Sequence, residues 1–214
     1  MKKSLILLTL FTQTIFAEAY TALNYGTVLS EDSTFFDGAE SLNNVVGAKT
    51  IRKELEVGIT SENNDKKTDI FFYAWNDGKE KYNETGVGLG GRIGISYENR
   101  LAFSIGAKSG VGAQSNNGKT FMTQSGLSNA SFVTGYNATH TPTIGTFTRD
   151  TAVFEINLIT EMNIHIVKHL DVNLQMTYLN SYYQFEYRVP SGIASQSGVS
   201  QDSLLLSAGL KYLF

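Results

Sequence analysis

The end of the chain alternates with a period of two. Leu204, Leu206, Ala208, Leu210, Tyr212 and Phe214 interleave with Ser203, Leu205, Ser207, Gly209, Lys211 and Leu213. Such a period sends successive side chains to opposite faces of an extended strand. Lys211 and Gly209 gain nothing from an apolar medium, so the aliphatic and aromatic row is the one that faces it. A chain built from segments of this kind must bury or solvate one greasy face per strand.

The same pattern recurs upstream. Val87, Leu89, Ile93, Ile95 and Tyr97 share a face, with Gly88, Gly90, Arg92, Gly94 and Ser96 opposite. After Glu98-Asn99-Arg100 it resumes with Leu101, Phe103, Ile105 and Ala107 against Ser104, Gly106 and Lys108. A second hairpin sets Phe154, Ile156, Leu158, Met162, Ile164 and Ile166 beside Leu170, Val172, Leu174, Met176 and Tyr178, joined around Lys168-His169. Its other face carries Glu155, Asn157, Glu161, Asn163, His165, Asp171, Asn173 and Gln175. Apolar outside and polar inside is what a closed transmembrane sheet requires, because lipid surrounds the wall and cannot satisfy an open backbone edge.

The N-terminus supports export. Met1-Lys2-Lys3 precedes the apolar run Ser4 to Phe11, and Ile15-Phe16-Ala17-Glu18-Ala19 closes it with small residues. This is the layout of a secretory signal cut after Ala17 or Ala19, leaving residues 20–214 as a barrel domain. The run is too short, and too interrupted by Thr9, Thr12, Gln13 and Thr14, for the roughly 20 apolar residues of a spanning helix. Charged residues make up only 17% of the 214 residues and the formal net charge is −3, so nothing attracts the whole protein to nucleic acid. The absence of Cys excludes a disulfide scaffold, a thiolate metal site, a Cys nucleophile and an N-terminal lipid anchor on Cys.

A terminal Phe214, with Tyr212 two residues before it and Leu210 two before that, resembles the strand that closes outer-membrane barrels. As a whole the chain resembles the small opacity-protein and OmpA-type barrel family. The resemblance implies a Gram-negative outer-membrane location and recognition of Leu210, Tyr212 and Phe214 by the barrel-assembly machinery. It also implies lipid as the surrounding partner, and a structural, adhesin-like or narrow-channel role with a possible extracellular ligand held by loops. A peptidoglycan-binding domain after Phe214 is not expected.

Three charged or polar segments precede Leu-x-Val or Leu-x-Phe: Arg52 to Val57, Glu98 to Phe103, and Lys168 to Val172. They read as three short periplasmic turns. Polar stretches near residues 29–44, 62–85, 114–150 and 188–202 read as four extracellular loops, which gives an all-β antiparallel barrel of eight strands, with ten as the alternative. The first two strands fall near Tyr20 to Val28 and Val45 to Ile51. Asp69 to Trp75 is strand-like inside a supposed loop. It reads either as a rim extension with Phe71, Tyr73 and Trp75 at the outer interface, or as the partner of Glu54 to Ser61 in the first hairpin.

An eight-strand barrel is just wide enough to be filled by side chains. Glu56, Arg92, Lys108, Glu155, Glu161 and Lys211 fall on the interior face, and buried charges must pair. They are expected to form a lumen charge network in which the three bases oppose the three acids. A gated ion path is the alternative use of the same residues.

Catalytic chemistry is not expected, nor is a cofactor or metal. His140, Asp150 and the many loop Ser residues do not amount to a triad, which is defined by geometry. His165 and His169 flank a turn. No motif of a lipid-modifying outer-membrane enzyme is found. Asn83, Asn129 and Asn137 begin glycosylation-type triplets that arise by chance in loops rich in Asn and Thr. The run Gly86 to Gly91 lacks the Lys-Ser/Thr of a phosphate loop. Its inward glycines make room for bulky interior side chains.

Overall fold

The structure is a computed structural model that describes residues 17–35, 49–63, 65–79, 83–98, 100–118, 120–123, 143–188 and 194–214. Its strands are β1 (Ala17–Phe35), β2 (Lys49–Asn63), β3 (Lys66–Lys79), β4 (Asn83–Tyr97), β5 (Leu101–Gln114), β6 (Thr120–Thr123), β7 (Thr143–Phe147), β8 (Thr151–Val167), β9 (Leu170–Arg188) and β10 (Ala194–Leu213). Eight of them, in the order β10-β1-β2-β3-β4-β5-β8-β9, close into an antiparallel barrel when β9 pairs with β10. Closure gives every wall strand two neighbours. β6 and β7 pair with each other and continue the sheet beyond β8, where Thr146 and Phe147 lie opposite Arg188 and Tyr187 at the end of β9.

Directly opposed residues run from Leu23 through Leu55, Ala74, Val87, Val111, Phe154, Tyr182 and Ser200, and return to β1 at Thr34. The row therefore climbs as it circles. This stagger tilts the strands and, for eight of them, sets a bore that side chains can fill. Both described ends of the wall, Ala17 and Phe214, lie at the end that carries the tight turns, and Phe214 donates its backbone N–H to the carbonyl of Ala19.

The turns at that end are tight. Asn63 pairs with Lys66, Tyr97 with Leu101, and Val167 with Leu170. Asp65, Glu98 and His169 adopt positive φ there, a conformation for which Asp and His are less penalised than most residues.

The outer surface is an apolar belt. Leu23, Leu89, Ile93, Ile105, Ile156, Leu158, Leu210 and Phe214 are among its exposed members. Tyr97, Tyr212 and Phe214 ring the end with the turns, and Tyr25 and Tyr178 lie toward the other. Lys53 is an exception. It is exposed on β2 between Ile51 and Leu55, where its long stem can carry the ammonium toward the nearer rim. Several strands on one side outreach this belt, since β9 continues to Arg188 and β10 begins at Ala194, far beyond Tyr178 and Leu206.

The N-terminal third differs from the sequence-based reading. Arg52 to Val57 is not a turn but the middle of β2, whose ladder with β3 ends only where Asn63 pairs with Lys66. Its charges misled because Arg52, Glu54 and Glu56 alternate with Lys53, Leu55 and Val57, so they are interior residues of a strand. The segment 62–85 is accordingly no single loop, since β3 and the start of β4 fall within it. The second strand is Lys49–Asn63, so Val45 to Ile51 does not form it, and residues 45–48 lie outside the described residues. Of the two readings of Asp69 to Trp75, the structure has the second: the segment is a full wall strand paired with Glu54 to Ser61 in the first hairpin after β1, and Phe71, Tyr73 and Trp75 point inward instead of to the interface. The stretches near 29–44 and 188–202 are shortened by β1 and β10, and that near 114–150 contains β6 and β7.

Candidate functional site

The interior is organised around the inward row of β3. Asp69, Phe71, Tyr73, Trp75 and Asp77 share that face, and the three aromatic rings form a ladder, with Tyr73 and Trp75 stacked at 5.4 Å between centroids. A ladder of this size needs empty neighbours. A Cβ at Gly90 would lie 2.6 Å from the Phe71 ring, one at Gly110 would lie 2.6 Å from the Trp75 ring, and those at Gly86 and Gly88 would overlap Trp75 and Tyr73. The glycine alternation of β4 and β5 is thus the complement of three large side chains on and near the adjacent strand.

Cations lie over the rings. Arg92 sits 4.3 Å from the Phe71 centroid, Lys108 4.9 Å from that of Tyr73, and Arg52 5.0 Å from that of Trp75. Lys211 lies 3.8 Å over Tyr20 and Lys79 4.2 Å over Tyr183. Desolvated cations gain from aromatic faces, so the ladder stabilises the charges as well as filling the bore.

Arg92 is the hub of the lower network. Its Nη2 donates to Glu56 Oε2 at 2.7 Å and to Tyr20 Oη at 2.8 Å, its Nη1 reaches Glu161, and its Nε lies 3.3 Å from Asp69. Asn163 and Gln175 donate to the two oxygens of Glu161, at 2.6 and 3.3 Å. Lys211 donates to Asp69 at 2.8 Å. Glu155, in the upper network, accepts a two-pronged contact from Arg52 at 2.7 and 3.0 Å, together with Tyr73 Oη at 2.8 Å. Glu54 bridges Arg52 and Lys108. Above them Lys49 lies 3.5 Å from Asp77, and Lys79 donates to Tyr183, which donates to Glu84 at 2.9 Å.

All six residues singled out in the sequence line the lumen and are buried. The structure joins Arg92 to Glu56 and Glu161, but Lys108 meets Glu54, Lys211 meets Asp69, and Glu155 meets Arg52. Arg52, Glu54, Asp69, Asp77, Lys49, Lys79 and Glu84 complete the set. Their signal lies in the parity of β2, β3 and the start of β4, where the charge-rich composition resembles that of a turn or a loop.

At the opposite end from the turns, Phe147 and Phe185 pack edge to face at 5.8 Å, and Tyr187 lies beside Phe185. An aromatic layer therefore covers the charged one. Leu206, Leu210, Tyr212 and Phe214 of β10 face outward, and Tyr212 and Phe214 meet edge to face at 5.2 Å.

The residues with catalytic chemistry are dispersed. His165 contacts Asp171 at 2.8 Å at the turn-bearing end, and Asp150 accepts the backbone N–H groups of Asn116 and Asn117 at 3.1 and 3.0 Å at the other. His140 lies outside the described residues.

No family model matches the sequence, and no curated protein matches it. Among solved structures, the crystal structure of Neisserial surface protein A (NspA) is similar, with a TM-score of 0.43 and 10% identity, over 92% of this chain and 99% of that one.

Proposed function

We propose that the protein is exported behind a cleaved signal and inserted in a bacterial outer membrane, where it is a structural or surface-interaction barrel with a filled lumen. The observation that carries this reading is the inversion of polarity across a closed wall, apolar outside and charged within. In water such a protein would expose a continuous greasy belt and bury a salt-bridge network, whereas in a bilayer both faces are satisfied. Interlocked ion pairs and an aromatic ladder across the bore favour a plug over an open aqueous path. The strands that outreach the belt, with the β6–β7 hairpin, offer a wall on which a surface ligand could be held, in the manner of an adhesin. Catalysis has no part in this reading.

Planar-bilayer recording of the refolded protein tests the filled lumen, because large and stable conductance would favour a narrow channel for ions or small solutes instead. Outer-membrane fractionation tests location. Comparing lipid A with and without the gene would reveal a lipid-modifying activity.

A further inference from the structure

Three polar residues form one row on the outer face of the barrel. Lys53, Asn76 and Thr85 lie directly opposite one another on β2, β3 and β4, and the exposed Tyr25 is the opposite number of Lys53 on β1. The row sits toward the end of the wall away from the turns. Lys53 is ten residues from Asn63 along β2, which at about 3.3 Å per residue and a tilt of about 40° places it about 25 Å above the turns. A lipid-facing belt is about 25 Å tall, so the ammonium reaches the headgroup level along its own stem.

Among the described residues no carboxylate stands beside this cation on the outer face. Its direct opposites are Tyr25 and Asn76, and the next outward residues along those two strands are Leu23, Thr27, Ala74 and Gly78. Glu54, Asp77 and Glu84, adjacent to the row in sequence, turn inward and are buried against Arg52, Lys49 and Lys79. Immediately below the row, the outer face is indented by a groove of about 820 Å³. Leu55, Ala74 and Val87 form the next outward row down, and Phe72, Leu89 and Ser109 continue the groove beneath them. Ala74 and Ser109 keep its floor low between larger neighbours. A cation and two hydrogen-bonding side chains above an apolar groove match the two ends of a charged lipid.

We propose that the row and the groove seat one anionic membrane lipid, with its phosphate on the Lys53 ammonium and one acyl chain along Leu55, Ala74 and Leu89. The Asn76 amide and the Thr85 hydroxyl donate to the remaining phosphate oxygens. Tyr25 flanks the headgroup at the level where amphipathic rings concentrate. Lys53 acts as a point charge without the fixed fork of an arginine, so it selects for net negative charge in the headgroup. A lipid whose phosphate is offset by its own choline is therefore the weaker occupant. The site rests on the reading of the barrel as membrane-inserted, and adds to it a preferred lipid at a fixed place on the wall.

The refolded protein in dodecyl maltoside, an uncharged detergent, is titrated separately with phosphatidylglycerol and phosphatidylcholine, and native mass spectrometry counts the lipids retained. One phosphatidylglycerol should be retained in preference to phosphatidylcholine by about fivefold, the effect of one lysine near an anionic headgroup. Lys53→Gln should remove the preference, and Ala74→Phe, which fills the groove, should weaken retention of both lipids. Lys66→Gln, at an exposed lysine of the turn-bearing end, should leave the preference intact. Equal retention of the two lipids by the unsubstituted protein, or a preference that survives Lys53→Gln, would overturn the proposal. Folding into phosphatidylcholine vesicles, read by heat-modifiability, tests the underlying reading separately. A barrel that folds there yet shows no preference in micelles refutes the lipid site alone, and one that does not fold there refutes membrane insertion as well.

Discussion

The indole of Trp75 on β3 lies across Gly86 on β4, so that a Cβ at residue 86 would overlap the ring. The two residues are opposed in register, and one is large because the other is absent as a side chain. Gly86→Ala should therefore destabilise the barrel by about 1–3 kcal/mol, as overpacking does. Trp75→Phe in the same background should recover part of the loss. Urea unfolding of the single and double variants measures the coupling, and additive effects would show that the ring moves aside freely.

Arg92 is expected to be the most sensitive interior position. Arg92→Met leaves Glu56, Glu161 and part of Asp69 without their cation, and a loss of about 3–5 kcal/mol should follow. Glu161→Gln should be milder, because Arg92 retains Glu56 and Asp69. Combining the two should recover a fraction of the Arg92→Met loss, since one fewer carboxylate is stranded. Equilibrium unfolding in lipid vesicles checks the order, and single-channel recording shows whether the loosened plug conducts.

The belt gives a test that separates lipid from water. Ile105 is exposed near the middle of the wall. In a bilayer Ile105→Arg should lower stability by about 2–4 kcal/mol. On a water-facing surface the same change would stay within about 0.5 kcal/mol. Ser109→Leu, on the same face of β5, should be neutral or stabilising in lipid. Folding measured in vesicles reports both.

Phe214 donates its backbone N–H to Ala19, and its ring packs on Tyr212, so it closes the seam between β10 and β1. Deleting Phe214 should reduce the heat-modifiable, assembled barrel in cells by several-fold. It should alter refolding of the purified protein in detergent much less. Equal losses in both settings would assign the residue to stability and not to recognition during assembly.

The sequence by itself determined the class of structure and the direction in which its strands face. Around Leu89, Ile105, Leu158 and Leu210 the period of two is unbroken, and parity is a local property that needs no partner strand. That is why Arg92, Lys108, Glu155, Glu161 and Lys211 could be placed on the interior face before any contact was known. Only the tertiary structure decided who meets whom. Lys108 and Glu54 are 54 positions apart, and Lys211 and Asp69 are 142 apart, distances that the stagger of a closed wall sets and that no local pattern encodes. The hairpin of Glu54 to Ser61 with Asp69 to Trp75 stood only as one of two readings for a related reason. In a barrel with a charged lumen, Arg52, Glu54 and Asp69 are core residues, and in sequence a charged core has the composition of a turn or a loop.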